Sequence, residues 1–206
     1  MNPPPFYEIL AAELPDTVWL DTALETVSRQ PASIARLFPA AGRQCGRWAL
    51  DRLPNWTVDD AARALLLTRL PAAAVVAELE SLYRYGDGAE KRAVLRALPW
   101  LDAPADAVRA LLLDALRTND TRLVAAALGP AARHLPVAAW RQGVLKAVFM
   151  GLPLDGVADL DERADGELAT MLAGLAEERH AAGRTMAGDA TELLHRLSAS
   201  KTERVS

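Results

Sequence analysis

Apolar residues along this chain recur at i, i+3, i+4 and i+7, the spacing of a helix that buries one face. Val58, Ala61, Ala62, Leu65 and Leu66 make one such stripe. Val75, Val76, Leu79 and Leu82 make a second, and Val108, Leu111, Leu112, Ala115 and Leu116 a third. Val137, Trp140, Val144, Leu145 and Val148 make a fourth. Helical openings fall near Thr57, Pro71, Gly88, Pro104, Asp120 and Pro136. Taken alternately they form two series with steps of about 31 to 33 residues, the period of stacked helical hairpins. A single hairpin cannot bury its stripe alone and must do so against its neighbours.

The pattern predicts an all-α fold. Three antiparallel, HEAT-like hairpins occupy 57–151, preceded by N-terminal helices and a Gly/Arg segment over 1–56 and followed by capping helices over 152–200. The whole of 1–206 is read as one domain. Phe6 to Leu14 should form two turns closed by Pro15, and Asp16 should cap a helix carrying Val18, Leu20, Ala23, Leu24 and Val27. Ser33 opens a short piece with Ile34, Leu37 and Phe38, after which Pro39 to Asn55 reads as irregular. In the repeat region, Thr57 with an acid two and three residues on looks like a helix cap, and Asp87 and Asn119 suit the same position. Beyond Gly151 a loop leads to a helix over about Ala164 to Ala182, then a short one over Asp189 to Leu197. Lys201 to Ser206 should fray.

Composition narrows the function classes. The 206 residues carry a net charge of −4, which argues against a nucleic-acid binder needing a basic face. Alanine is about a fifth of the chain, a helix-forming excess. A single cysteine, Cys45, forbids an internal disulfide and fits a reducing compartment. The start Met1-Asn2-Pro3-Pro4-Pro5 lacks a signal-peptide pattern, and no apolar run reaches a membrane span, so a cytoplasmic location is expected.

Three places hold unusual chemistry. In Gly42-Arg43-Gln44-Cys45-Gly46-Arg47 two arginines bracket the thiol. Either Cys45 is activated and Arg43 and Arg47 grip an anion, or the glycines serve a turn and the cysteine is structural. The turn Tyr83-Arg84-Tyr85-Gly86-Asp87 with Glu90, Lys91 and Arg92 has a counterpart in Arg117-Thr118-Asn119-Asp120-Thr121-Arg122. These residues either line one edge of the array or only cap helices. Lys146 interrupts an apolar helix, and so reaches a ligand, a carboxylate or the surface. The two charged turns and the Gly42–Arg47 segment should converge on one face, because equivalent turns of stacked repeats align. The cations Arg43, Arg47, Lys91, Arg92, Arg122 and Lys146 outnumber Asp87, Glu90 and Asp120: either they meet an anionic ligand, or they pair internally with these acids and only stiffen the turns.

Other patterns fail. His134, His180 and His195 are scattered, so no zinc site is expected. The acidic run Asp155, Asp159, Asp161, Glu162, Asp165, Glu167 breaks calcium-loop spacing at Arg163. No nucleotide-binding glycine loop or serine-hydrolase elbow occurs, and no cofactor is implied.

The motifs Leu37-Phe38-Pro39-Ala40-Ala41-Gly42-Arg43-Gln44-Cys45-Gly46-Arg47, Ala62-Arg63-Ala64-Leu65-Leu66-Leu67 and Tyr83-Arg84-Tyr85-Gly86-Asp87 resemble the EboA family. So do Glu90-Lys91-Arg92-Ala93-Val94-Leu95, Arg117-Thr118-Asn119-Asp120-Thr121-Arg122 and Val144-Leu145-Lys146-Ala147-Val148-Phe149-Met150-Gly151. The similarity runs from about Leu37 to Ala182. It implies a bacterial protein whose gene neighbours look like a UbiA-type prenyltransferase, a TIM-barrel metal-dependent hydrolase and a sugar-phosphate-cyclase-like enzyme. It further implies a part in making or moving a small metabolite, including passage of precursors toward the periplasm. It carries over no catalytic residue. The expectation is a cytoplasmic, non-catalytic binding or adaptor protein, with a small anionic metabolite or proteins of the same gene cluster as partners. The alternatives are an enzyme of undescribed type acting through Lys146, Cys45 or an acid pair, and a structural scaffold for partner enzymes.

Overall fold

Helix starts in this chain are set by local breaks, and the computed structural model places them almost where the spacing puts them. The structure describes residues 5–203. It contains helices α1 (Phe6–Glu13), α2 (Val18–Arg29), α3 (Ile34–Gln44), α4 (Val58–Leu67), α5 (Ala72–Tyr85) and α6 (Gly88–Ala97). They are followed by α7 (Ala105–Arg117), α8 (Thr121–Ala127), α9 (Val137–Met150), α10 (Leu160–Arg163), α11 (Gly166–Ala181) and α12 (Gly188–Glu203). Short 3-10 turns at Pro31–Ser33, Leu98–Trp100 and Pro130–His134 lead into or out of these helices. No strand occurs among the described residues, so the all-α class holds.

Several boundaries depart from the reading. Pro39 does not end its helix: α3 continues through it to Gln44. Ile34, Leu37, Phe38, Ala41 and Gly42 are buried on one side, and this stripe outweighs the hydrogen bond that proline removes. Thr57 precedes α4 but makes no capping bond with its side chain. The cap of α8 is Asp120 rather than Asn119, its carboxylate accepting from the Arg122 backbone. α11 is a little shorter than expected and α12 longer, running to Glu203 through residues expected to fray. The first four residues, with most of the proline-rich start, and residues 204–206 lie outside the described residues.

Tertiary contacts divide the chain into two compact units, 1–111 and 112–206, the division falling within α7. In the first, α4 is the central helix. All ten of its residues are buried, with α1, α2, α3 and α6 packed around it and α5 packed on α6. A β-bridge between Ala49 and Thr57 closes the loop before α4, through bonds from Leu50 N to Trp56 O and from Val58 N to Trp48 O, both 2.9 Å. This loop delivers Trp56 into a cluster with Phe6 and Trp100, ring centroids 5.1 to 5.6 Å apart.

In the second unit α8 packs on α9, α9 on α11, and α11 on α12. Trp140, Val144, Leu168 and Leu172 are fully buried, each stabilising the core by about 1.5 to 3 kcal/mol if apolar area is counted simply. Gly143 permits the close approach of α9, since a Cβ there would fall 2.9 Å from Leu128 Cδ2 and 3.2 Å from Leu116 Cδ1.

Candidate functional site

The densest polar chemistry in the first unit lies on α4. Asp59, Asp60 and Arg63 are each at most 1% exposed, in a helix otherwise made of Val, Ala and Leu. Buried charges are retained only when paired and hydrogen-bonded. Asp59 Oδ2 accepts from Arg63 Nη1 at 2.5 Å, and Asp59 Oδ1 from Thr57 Oγ1 at 2.6 Å. Arg63 Nε donates to the Phe38 carbonyl at 3.1 Å, and its guanidinium lies over the Phe38 ring. Asp60 Oδ1 accepts from Arg92 Nε and Nη2 at 3.1 and 3.0 Å, while Asp60 Oδ2 accepts from Arg96 Nη1 at 2.7 Å. Arg92 Nη2 also reaches Thr57 Oγ1 at 3.3 Å. The lock ties α3, α4 and α6 together.

Cys45 borders this lock. The thiol is buried, and desolvation, then the Asp59 charge, push its pKa up to about 11, with Arg63 pulling the other way. A thiol so held is protonated at neutral pH, which does not suit a nucleophile. Arg43 and Arg47 are exposed, on the last turn of α3 and just beyond it. The Arg47 guanidinium covers Gly42, where an added Cβ would fall 2.7 Å from Nε.

The remaining expected residues of the first unit serve their own turn. Asp87 Oδ1 accepts from the Ala89 and Glu90 amides at 2.9 and 2.8 Å, and Glu90 Oε2 accepts from the Asp87 amide at 3.1 Å. That is a complete capping box. Lys91 lies over the Tyr83 ring, 5.3 Å from its centroid. Among the described residues no hydrogen bond or ion pair joins Arg43, Cys45 or Arg47 to Asp87, Glu90 or Lys91. Arg92 is the expected residue that enters the lock.

Asn119, Asp120, Arg122 and Lys146 belong to the second unit. Asn119 is exposed. Arg122 Nε and Nη2 donate to Asp120 at 3.1 and 2.7 Å, and the side-chain bond holds that carboxyl below the usual carboxylate range. Lys146 Nζ donates to the Leu116 and Thr118 carbonyls at 2.9 and 2.6 Å, satisfying the open C-terminal end of α7. Other cations in this unit act alike. Arg179 Nη2 reaches the Val148 and Phe149 carbonyls at 3.2 and 2.8 Å, and Arg163 reaches those of Ala132 and Leu135 at 2.8 and 2.9 Å.

Lys146 also borders an open groove of about 440 Å³ between α9 and α11. Leu145, Phe149, Met171 and Leu175 line it together with the polar Gln142 and Glu178. Phe149 is 63% exposed, unusual for an aromatic residue in a packed helix. The volume lies within the range of about 300 to 1,000 Å³ typical of small-molecule sites, and the lining is mainly apolar as such sites are. A second cavity of about 610 Å³ gathers Asp155, Asp159, Asp161 and Glu162 from the acidic run with Asp189 and Glu192. Arg196 pairs with Asp161 there at 2.8 Å, and Asp189 accepts from the Leu154 amide. Among the described residues no group of three or more His, Cys, Asp or Glu is placed to hold a metal ion. None of the described helices is long and apolar enough to cross a membrane.

Asp59, Asp60, Arg63 and Arg96 of the lock, and the groove residues Gln142, Phe149, Met171 and Glu178, were not picked out as site residues from sequence. For the lock a signal existed: Val58-Asp59-Asp60-Ala61-Ala62-Arg63-Ala64-Leu65-Leu66-Leu67 is apolar around most of the helix, so its three charges cannot all face water.

The architecture is that of an all-helical protein with charges spent on internal ties and an open, largely apolar groove. The chain belongs to the EboA family, whose model, described as metabolite traffic protein EboA, matches residues 40–195. No curated protein and no solved structure matches it.

Proposed function

We propose that this chain is a cytoplasmic, non-catalytic binding protein of metabolite traffic that holds a small metabolite in the groove between α9 and α11. The observation that carries the reading is Phe149, left 63% exposed beside Leu145 and Met171 in a groove of metabolite size, with Lys146 at its border. Two of the three Lys146 N–H groups are committed to carbonyls, which leaves one for an acceptor on an anionic ligand. The family description as a metabolite traffic protein supports the general role. The free thiol of Cys45 fits a reducing compartment. Non-catalytic binding is favoured because Cys45 is held protonated and Lys146 is spent on carbonyls, so neither suits a nucleophile. Stacked hairpins are part of this proposal. The ties from Lys146, Arg163 and Arg179 each span 28 to 31 residues, close to the spacing of helical openings in the sequence.

Native mass spectrometry on protein purified from cells that carry the pathway tests the reading. A small-molecule adduct is expected on the wild type and is expected to be lost in Phe149→Ser, with the melting temperature nearly unchanged. If Phe149→Ser retains the adduct, the groove is not the site. If instead a protein of the gene cluster co-purifies and is lost in the variant, the groove is a protein-docking face.

A further inference from the structure

The charges of the α4 lock do not cancel. Asp59 and Asp60 supply two negative charges, whereas Arg63, Arg92 and Arg96 supply three positive ones. Guanidinium groups stay protonated at any working pH, so the excess is permanent. It also lies on one side. Asp59 and Arg63 neutralise each other, with Thr57 and the Phe38 carbonyl completing their bonds. Asp60 stands alone between Arg92 and Arg96, and both of its oxygens are taken.

The two arginines retain donors. Arg92 uses Nε and Nη2, and Arg96 uses Nη1, so Arg92 Nη1 and both Nε and Nη2 of Arg96 have no protein partner among the described residues. Their side chains are 14% and 19% exposed, whereas Asp60 is fully covered, so the open side of the lock is the arginine side. Arg96 is held with its guanidinium over Trp56, 5.4 Å from the ring centroid. Trp56 is itself wedged against Phe6 and Trp100. The fork is thus oriented before any ligand arrives, and little side-chain entropy remains to be lost on binding. Burial pulls the Arg96 pKa down, opposed by Asp60 and reinforced by Arg92, as expected for a crowded cation short of counter-charge.

We propose that Arg92 and Arg96 form the binding site of an external oxyanion, a carboxylate or a phosphate, whose charge completes the lock. Planar or tetrahedral oxyanions match the parallel N–H groups of guanidinium forks, and charge-assisted bonds beside aromatic walls are stronger than the same bonds in open water. The site lies in the first unit. It does not depend on the α9–α11 groove.

Calorimetric titration and thermal melting at constant ionic strength in chloride test this, with inorganic phosphate, methylphosphonate and acetate as probes. One saturable site is expected, with a rise in melting temperature. Response to phosphate and methylphosphonate alone assigns a phosphoryl group, and response to acetate a carboxylate. Arg96→Lys keeps the charge but loses the fork, and should weaken binding about tenfold. Asp60→Asn leaves two unopposed arginines, so it should bind the anion more tightly and regain melting temperature on its addition. Phe149→Ser should bind as the wild type does. The proposal is overturned if neither the wild type nor Asp60→Asn responds to any probe, or if Arg96→Lys binds as tightly as wild type, which would leave an ion atmosphere in place of a site.

Discussion

Arg92 reaches Asp60 across 32 residues of chain, donating from Nε and Nη2 at 3.1 and 3.0 Å. The contact joins α6 to the first turn of α4, one helix pair earlier. In the second unit, Lys146 ties back to Leu116 across 30 residues and Arg179 to Val148 across 31. A cation on one helix thus repeatedly satisfies an acceptor about one helix pair before it. The acceptor is a buried carboxylate on α4 and a row of open carbonyls at the ends of α7 and α9.

Removing the buried acid should be costly. Asp60→Ala leaves two arginines facing each other at the protein's most enclosed helix, and we expect a loss of about 3 kcal/mol or more in urea unfolding. The double replacement Asp59→Leu with Arg63→Met exchanges a balanced pair for apolar groups, and should recover most of the loss caused by either single change. An Asp60→Ala protein as stable as wild type would mean that water enters and takes over the bonds.

Lys146 and Arg43 should separate. Lys146→Met loses two charge-assisted bonds to carbonyls and leaves those carbonyls open, at about 2 kcal/mol. Arg43→Met, at an exposed position, should stay within about 0.5 kcal/mol of wild type. Melting curves read both, and pathway output in cells is measured alongside. Full output from both variants would remove these residues from any ligand site.

Acid should weaken the second unit through Asp165. The side-chain hydrogen bond from Arg141 holds this carboxyl below the ordinary value of 3.8. A depressed folded-state pKa contributes stability above the unfolded value and loses it as pH falls through the folded one. Melting temperature should therefore decline below about pH 4, with Asp120 adding to the same slope. Asp165→Asn should start lower and decline less. An equal slope in the variant would assign the acid sensitivity elsewhere.

Alkali acts through Cys45. With the folded thiol near 11 and an ordinary value of 9.0, the unfolded chain loses its proton first, so stability should fall as pH rises from 9 toward 11. Cys45→Ala should remove that part of the decline. At pH 8 the native thiol should resist an aromatic disulfide reagent until the protein is unfolded. Rapid labelling of the native protein would contradict its burial.

The helices were legible because their signals are local. Apolar residues at helical spacing, Pro71, Pro104 and Pro136 before helix starts, and Asp87 as a cap act within one or two turns of backbone. The openings read from them fall within a residue of the observed starts from Val58 to Val137. The EboA motifs were legible for the same reason, being contiguous.

α3 shows how a local signal can lose. Pro39 is a strong breaker, yet Ile34, Leu37, Phe38, Ala41 and Cys45 continue one helical stripe across it. Buried area summed over that stripe exceeds the loss of one backbone bond. Reading the stripe past the proline would have found the helix.

The candidate site was less legible, because the fate of a charge depends on what packs against it. Asp59 and Asp60 in a first helical turn look like part of a helix cap, and Arg92 looks like one of the charged residues clustered at the turn before α6. Only the packing of α1, α2, α3 and α6 around α4 turns those acids into buried anions and commits Arg92 and Arg96 to one of them. The sequence by itself determined the helical class, the helix starts, the excess of cations in the chosen motifs and the family. Tertiary structure alone decided which cations are spent on internal acceptors and which keep donors turned outward. Helix formation is governed by neighbours within a few residues, whereas burial and charge pairing are governed by residues about thirty positions away.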